Sequence, residues 1–503
     1  MKKFLLILTA FFVFQSCKTS PYDELNNQIE AALNSGNEVS SKEASAMKTF
    51  ILANQKDIID YNKILVNGET VADDELFKLI KKSKVYRKLS KTGNVKIDLS
   101  GVVSKKTAIA VSEIMPKLYL ERSESMVPYD SPLGTGNFRN VLTSLLGNFN
   151  GVSKKKNIIY VVNDNVYNCP LDFKGLIESK DIFAATKIGK ATSTDFNLIF
   201  KRILKDLNQG EISILLSDLI YSTPSMADVS STKILDAVEK LTLNVFQDFS
   251  KDVSVIILKF NGDYNGKYFP HNRKPQTYNG LRPYYAVLFA KNETMHKFMK
   301  DQKYMHTRTW KDYTNFENFY FFSNDDKVKN PFYTIRLKDP ADKAGRYNQE
   351  SEEKKLHGKG IHAIEDINHD KDGKLSINIV VDLSNLHIPK DIKVDKNNYV
   401  VESIQDFVVQ KVTTLDGSEE GTHKITLSTK TKRGGNRNVN IKFKKIFPTK
   451  WIKDSQSVND ADVKKSSFAS TTFGIQNMMK GIHQAYDTDQ SEYLFTLKIN
   501  LKN

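Results

Sequence analysis

The run Lys117-Leu118-Tyr119-Leu120-Glu121-Arg122-Ser123-Glu124-Ser125-Met126 decides the reading of the fold. A short apolar strand stops at an acid, and two serines follow at alternate positions. Apolar runs of the same kind return at Ile158 to Val162, Ile212 to Leu216, Val253 to Phe260 and Tyr284 to Phe289. Between them Phe196, Ile199, Phe200, Ile203 and Leu207 recur at helical spacing, as do Ile234, Val238, Leu241, Val245 and Phe249. Uninterrupted apolar strands separated by amphipathic helices predict a mostly parallel sheet covered on both faces. Residues 115–328 are therefore expected to form a doubly wound, Rossmann-like α/β domain. Such sheets bind ligands beyond the carboxyl ends of their strands.

Towards the N-terminus, residues 27–114 read as mainly helical. Ile51, Ile58, Ile59 and Leu65 stand among polar neighbours, and a lysine-rich stretch from Lys81 to Lys91 closes the segment as a solvated face. Residues 1–17 begin with Lys2 and Lys3, continue as an apolar run from Phe4 to Phe14, and end in Ser16-Cys17. That run is too short to span a bilayer and has the form of an export signal over residues 1–16. Phe14-Gln15-Ser16-Cys17 resembles the lipobox of bacterial lipoproteins, with Phe14 where that family usually has Leu. The resemblance implies cleavage before Cys17, lipidation of its sulfur, a tether over 17–26, and anchoring at the outer membrane. Cys169 is then the only other cysteine, so no internal disulfide is expected.

Towards the C-terminus the texture changes again. Lys374 to Leu383, Tyr399 to Val412, His423 to Lys432, Asn438 to Ile446 and Tyr493 to Leu501 read as strands, with one helix over Phe468 to Tyr486. Residues 329–503 are expected to be a mainly β, sandwich-like module.

Three places in the α/β region share one edge of the expected sheet: Glu121 to Ser125, Thr194 before the helix at Phe196, and Asp218 after the strand Ile212 to Leu216. Two carboxylates and three hydroxyls suit a hard divalent cation, which takes oxygen ligands and keeps several waters. The order and placement of these residues resemble the von Willebrand factor type A (vWA) domain. Its metal-ion-dependent adhesion site has Asp-x-Ser-x-Ser after the first strand, a Thr in a later loop and an Asp after the fourth strand. The resemblance covers about residues 115–303 and places Glu121, Ser123, Ser125, Thr194 and Asp218 at the matching positions. It implies Mg²⁺ or Mn²⁺, with Ca²⁺ as a further option, and a partner protein that presents an acidic side chain. Glu121 departs from the family's Asp, and its extra methylene displaces the carboxylate by about one carbon–carbon bond. Glu124 stands where the family often has Gly.

Other signals point elsewhere. Asn368 to Gly373 begins like a calcium loop, but Ile379 occupies the position of the closing Glu, and Asp372-Gly373 reads as a hairpin turn. His357, His362 and His369 lack the spacing of a metal site. No nucleophile elbow or phosphate loop is present, so no catalytic residue is assigned; a hydrolase ranks last among the readings. From Gly421 to Lys453 there are ten Lys or Arg and no acid. On a hairpin, Lys424, Lys430, Lys432, Lys442 and Lys444 would share a face able to meet an anionic glycan or lipid.

Composition sets the outer bounds. The 503 residues are 40% hydrophobic and 26% charged, with 13 Pro and 24 Gly, which excludes a fibrous repeat or wholesale disorder. A net charge of +15 suggests an anionic surface nearby. Export makes nucleic acid an unsuitable partner.

Overall fold

The chain divides at Glu113/Ile114 into two compact units. The computed structural model describes residues 21–502 apart from internal segments, the longest being 54–64, 100–112, 150–157, 222–228, 338–343, 352–359 and 416–420. The export signal, Cys17, Ile58, Ile59 and His357 lie outside the described residues.

In the first unit, helices α1 (Pro21–Gly36), α2 (Ser41–Ala53) and α3 (Asp73–Lys82) bury Leu25, Ile29, Leu33, Met47, Ile51, Leu76 and Ile80 together, and α4 (Lys84–Leu89) packs Val85, Tyr86 and Leu89 against them. Helix α1 already runs through most of the stretch expected as a tether, because Pro21 is suited to a first helical position, where no N–H is required. Lys48 is buried here, with its ammonium donating to the Leu99 carbonyl at 2.8 Å. Ser83 caps α4, its hydroxyl accepting from the Tyr86 amide.

The second unit is built on a seven-stranded sheet. Its strands are β1 (Met115–Glu121), β2 (Ile159–Val162), β3 (Val166–Asn168), β4 (Glu211–Ser217), β5 (Val253–Tyr268), β6 (Gln276–Lys291) and β7 (Phe316–Phe322). They lie in the order β7-β5-β6-β4-β1-β2-β3. Helices α5 (Asn137–Gly147), α6 (Phe196–Lys205) and α7 (Ser231–Phe246) contribute buried faces to two apolar clusters that share the sheet strands.

The centre of the sheet is parallel, as the apolar runs suggest: β1 pairs in parallel with both β2 and β4. The other pairings are antiparallel, which corrects the expectation for Val253 to Phe260 and Tyr284 to Phe289. Those runs belong to one long hairpin, β5–β6, paired from Val253↔Lys291 to Tyr268↔Gln276. The seven residues between the strands are too few for the crossover a parallel pair needs.

The C-terminal residues form two further multi-stranded sheets and one short parallel pair, Gln456–Ser457 with Thr472–Phe473. Strands β8 (Tyr333–Ile335), β9 (Arg346–Gln349), β10 (Ala363–Asn368), β11 (Leu375–Val381), β12 (Tyr399–Glu402), β13 (Val408–Thr414), β14 (His423–Thr429), β15 (Arg437–Lys444) and β16 (Tyr493–Leu501) divide between the two sheets. One sheet has the order β8-β11-β14-β13, the other β9-β10-β16-β15-β12. The turn at Asp370 to Gly373 is present, with Asp370 accepting from the Asp372 and Lys374 amides, and Gly373 has φ +71. It passes from one sheet to the other instead of closing a hairpin, since β10 and β11 pair with different strands.

The late helix is shorter than expected. Helix α8 runs from Ile475 to Tyr486, behind Gly474 at φ +76, and Ser466–Ala469 is a separate 3-10 turn. Helix α8 packs on α7 so closely that a Cβ at Gly481 would stand 2.3 Å from the Glu239 carbonyl oxygen. Residues 329–503 and the α/β layers thereby share one compact unit. Among the described residues no helix is long and apolar enough to cross a membrane.

Candidate functional site

Strand register builds the site. Leu120 pairs with Leu216, so Glu121 at the end of β1 meets Ser217 at the end of β4. Glu121 is fully buried there; one carboxylate oxygen accepts from the Ser217 hydroxyl and the other from Thr194 Oγ1 at 2.7 Å. Thr194 is held by its neighbour Asp195, which caps α6 by accepting from the Asn197 and Leu198 amides at 3.0 and 3.2 Å. The Ser123 and Ser125 hydroxyls lie 2.9 Å apart in the loop that follows β1. Ser125 is only half-buried and faces towards solvent more than Ser123 does.

Asp218 follows Ser217 and is 1% exposed. Its Oδ1 accepts from the Ile220 amide at 3.0 Å, whereas Oδ2 is buried without a hydrogen-bond partner. The structure thus gathers Glu121, Ser123, Ser125, Thr194 and Asp218 at the carboxyl ends of β1 and β4. Glu124 is exposed and contributes only its amide, to the Ala191 carbonyl at 3.1 Å.

Burial and the neighbouring Asp218 push the Glu121 carboxyl well above the usual carboxylate range, against hydrogen bonds from Ser217, Thr194 and Ser123. Burial also raises Asp218, opposed by the Ile220 amide, the Ser125 hydroxyl and the positive charge of Arg282, while Asp460 adds to the rise. Two desolvated acids side by side favour protonation of at least one of them. A divalent cation would remove that preference. The partnerless Oδ2 and the serine hydroxyls near it fit such an ion. Among the described residues no group of three or more His, Cys, Asp and Glu side chains could hold a metal, so an ion here would need hydroxyls and water to complete its coordination.

Three features of the surroundings were not singled out in the sequence reading. Ser217 closes a mostly apolar buried strand just before Asp218, which is its only signal. The β5–β6 hairpin runs past the sheet ends and carries Tyr264, Tyr284 and Arg282 behind the site; Gly262 allows this, since a Cβ there would meet the Tyr284 ring at 2.8 Å and Tyr129 at 3.2 Å. Arg282, 1% exposed, donates to the Phe468 and Thr471 carbonyls and stacks over the Phe468 ring at 4.0 Å. A lone Arg at the start of an apolar run was the available clue.

The expected lysine face does not form. Strands β14 and β15 are not a hairpin: β14 pairs with β11 and β13, and β15 with β16 and β12. Each has an apolar face to bury, Ile425 with Leu427 and Val439 with Ile441 and Phe443, and the two faces are buried from separate sheets. Lys424, Lys430 and Lys432 are thereby parted from Lys442 and Lys444. Lys442 bonds Glu402 at 2.5 Å, and Lys444 donates to the Asn397 carbonyl at 2.9 Å. Cys169 is half-buried and free, and burial raises its thiol pKa. Comparison of the chain with family models, with curated proteins and with solved structures finds no match in any of the three.

Proposed function

We propose that the protein is an exported, lipid-anchored binding protein of the cell envelope whose vWA-like α/β unit captures a partner through a divalent cation. Ser123, Ser125, Thr194 and Asp218 are the candidate ligands, with Glu121 holding Thr194 and balancing charge from behind. The single observation that carries this reading is Asp218, a carboxylate closed to solvent whose Oδ2 makes no hydrogen bond, with the Ser125 hydroxyl close enough to stabilise its charge. When bound, Mg²⁺ or Mn²⁺ would offset the two acids and leave a coordination position for a partner's carboxylate. The C-terminal strands, read as a sandwich-like module, supply spacing or a second contact surface.

Calorimetric titration of the full-length protein with Mn²⁺ tests the cation. One site is expected, lost in Asp218→Ala and weakened in Ser123→Ala. Capture of envelope proteins should fall to background in Asp218→Ala and on chelation. Heat-silent titration, or capture that survives both treatments, would overturn the reading.

A further inference from the structure

A cavity of about 940 Å³ lies away from the cation site, with none of the site residues in its walls. Its longest wall is β7, which lies at one end of the seven-stranded sheet and, among the described residues, pairs only with β5. Every residue from Phe316 to Asn324 lines the cavity. Side chains of a strand alternate between faces, so consecutive lining residues indicate that the cavity meets β7 edge-on. Alternate residues of an edge strand aim their N–H and C=O groups away from the sheet. Among the described residues, the only backbone hydrogen bond from Glu317 to Phe322 outside the β5 ladder is the local one from the Phe319 amide to Asn318 Oδ1.

The facing wall supplies aromatic bulk and unused polar groups. Phe443, Trp451 and Tyr486 line it, and Trp451 Nε1 and Thr449 Oγ1 are buried without partners. Charge is lopsided: six lysines line the cavity against three carboxylates. Two of those acids are already engaged, Glu317 with Lys259 at 2.8 Å and Asp487 with Lys445 at 2.6 Å; of the lysines, Lys445 also holds Asp489 at 2.6 Å and Lys450 holds Asp454 at 2.5 Å. Lys311 and Lys390 are exposed and have no carboxylate partner among the described residues. An open strand edge, apolar walls and a basic rim together specify an extended chain that carries negative charge.

We propose that this cavity takes an extended acidic peptide segment of a partner protein, which adds to the free edge of β7 as a further strand. Backbone hydrogen bonds to β7 hold the segment, aromatic walls take alternate side chains, and Lys311 and Lys390 meet its acids. The proposal does not rest on the cation, and chelation should leave peptide binding unchanged.

The probe is a fluorescein-labelled octapeptide of alternating Glu and Val, read by fluorescence polarisation on the full-length protein. Binding should weaken about tenfold or more in the double variant Lys311→Glu/Lys390→Glu, with thermal unfolding unchanged, and should weaken as salt rises from about 0.05 to 0.5 M. Two N-methylated peptides, blocked at odd or at even positions, separate strand addition from loose attraction. One should lose binding and the other retain it, because only alternate amides face β7. Equal affinity for both peptides would overturn strand addition. Tight binding of dodecanoic acid without binding of the peptide would instead make the cavity an acyl-chain site and end the proposal.

Discussion

Asp218 has one carboxylate oxygen served by the Ile220 amide and one with no donor, in a position closed to solvent. An unsatisfied buried acceptor costs about 1–3 kcal/mol. Asp218→Asn removes the charge at nearly constant shape, so the cation-free protein should gain about 1 kcal/mol in urea unfolding while its Mn²⁺-induced stabilisation disappears. Loss of stability without cation, or Mn²⁺ stabilisation that persists, would contradict that role. Thr194→Val acts on the neighbouring acid. It leaves a Glu121 oxygen without its 2.7 Å donor and should cost about 1–3 kcal/mol in the same measurement. The five residues at the site are legible from the sequence through their order and placement at element ends, which resemble the vWA pattern; Ser, Thr and Asp taken singly are ordinary turn and cap residues. Ser217 was not legible in this way, since only the register of β1 against β4 shows that Glu121 reaches it.

Strands were read well where their two faces have the same character and poorly where connections decide the pairing. The runs at Val253 and Tyr284 are visible as strands, but their antiparallel pairing follows from both strands continuing past the apolar runs, to Tyr268 and from Gln276, which leaves only a short connection between them. Likewise β14 and β15 each showed an apolar face, yet nothing local says that the two strands enter different sheets. The α7–α8 contact has one sensitive position. Gly481→Ala would bring a Cβ to 2.3 Å from the Glu239 carbonyl and 2.9 Å from Thr242 Cβ. The helices must separate, at a cost of about 1–3 kcal/mol by chemical denaturation. A neutral result would mean that α8 is loosely seated.

Across the second unit, buried titratable groups give stability opposing slopes with pH. His387 is held neutral, its pKa lowered to about 3 by burial and by Lys393; His423 is lowered to about 4 by burial and the same lysine. Both bind fewer protons folded than unfolded, so their contribution is complete above the ordinary histidine value, about 6.5, and drains away as pH falls towards 4 and 3. Glu121 and Asp218 act in the other sense. Their raised pKa values mean that the folded state binds more protons, so stability declines as pH rises from about 4 through their folded values. Urea midpoints of the cation-free protein should therefore peak at intermediate pH. Glu121→Gln should flatten the alkaline limb alone, and an unchanged limb would show that the pair does not titrate there. By itself the sequence determined the α/β centre, the helical first unit and the kinds of atom at the site, because apolar periodicity and residue chemistry are local properties. Only the tertiary structure decided which strands pair antiparallel, that Glu121 is closed in by Ser217 and Thr194, and that the basic strands enter different sheets. Those outcomes depend on which apolar faces bury one another across long separations in the chain, and no stretch of sequence carries that information alone.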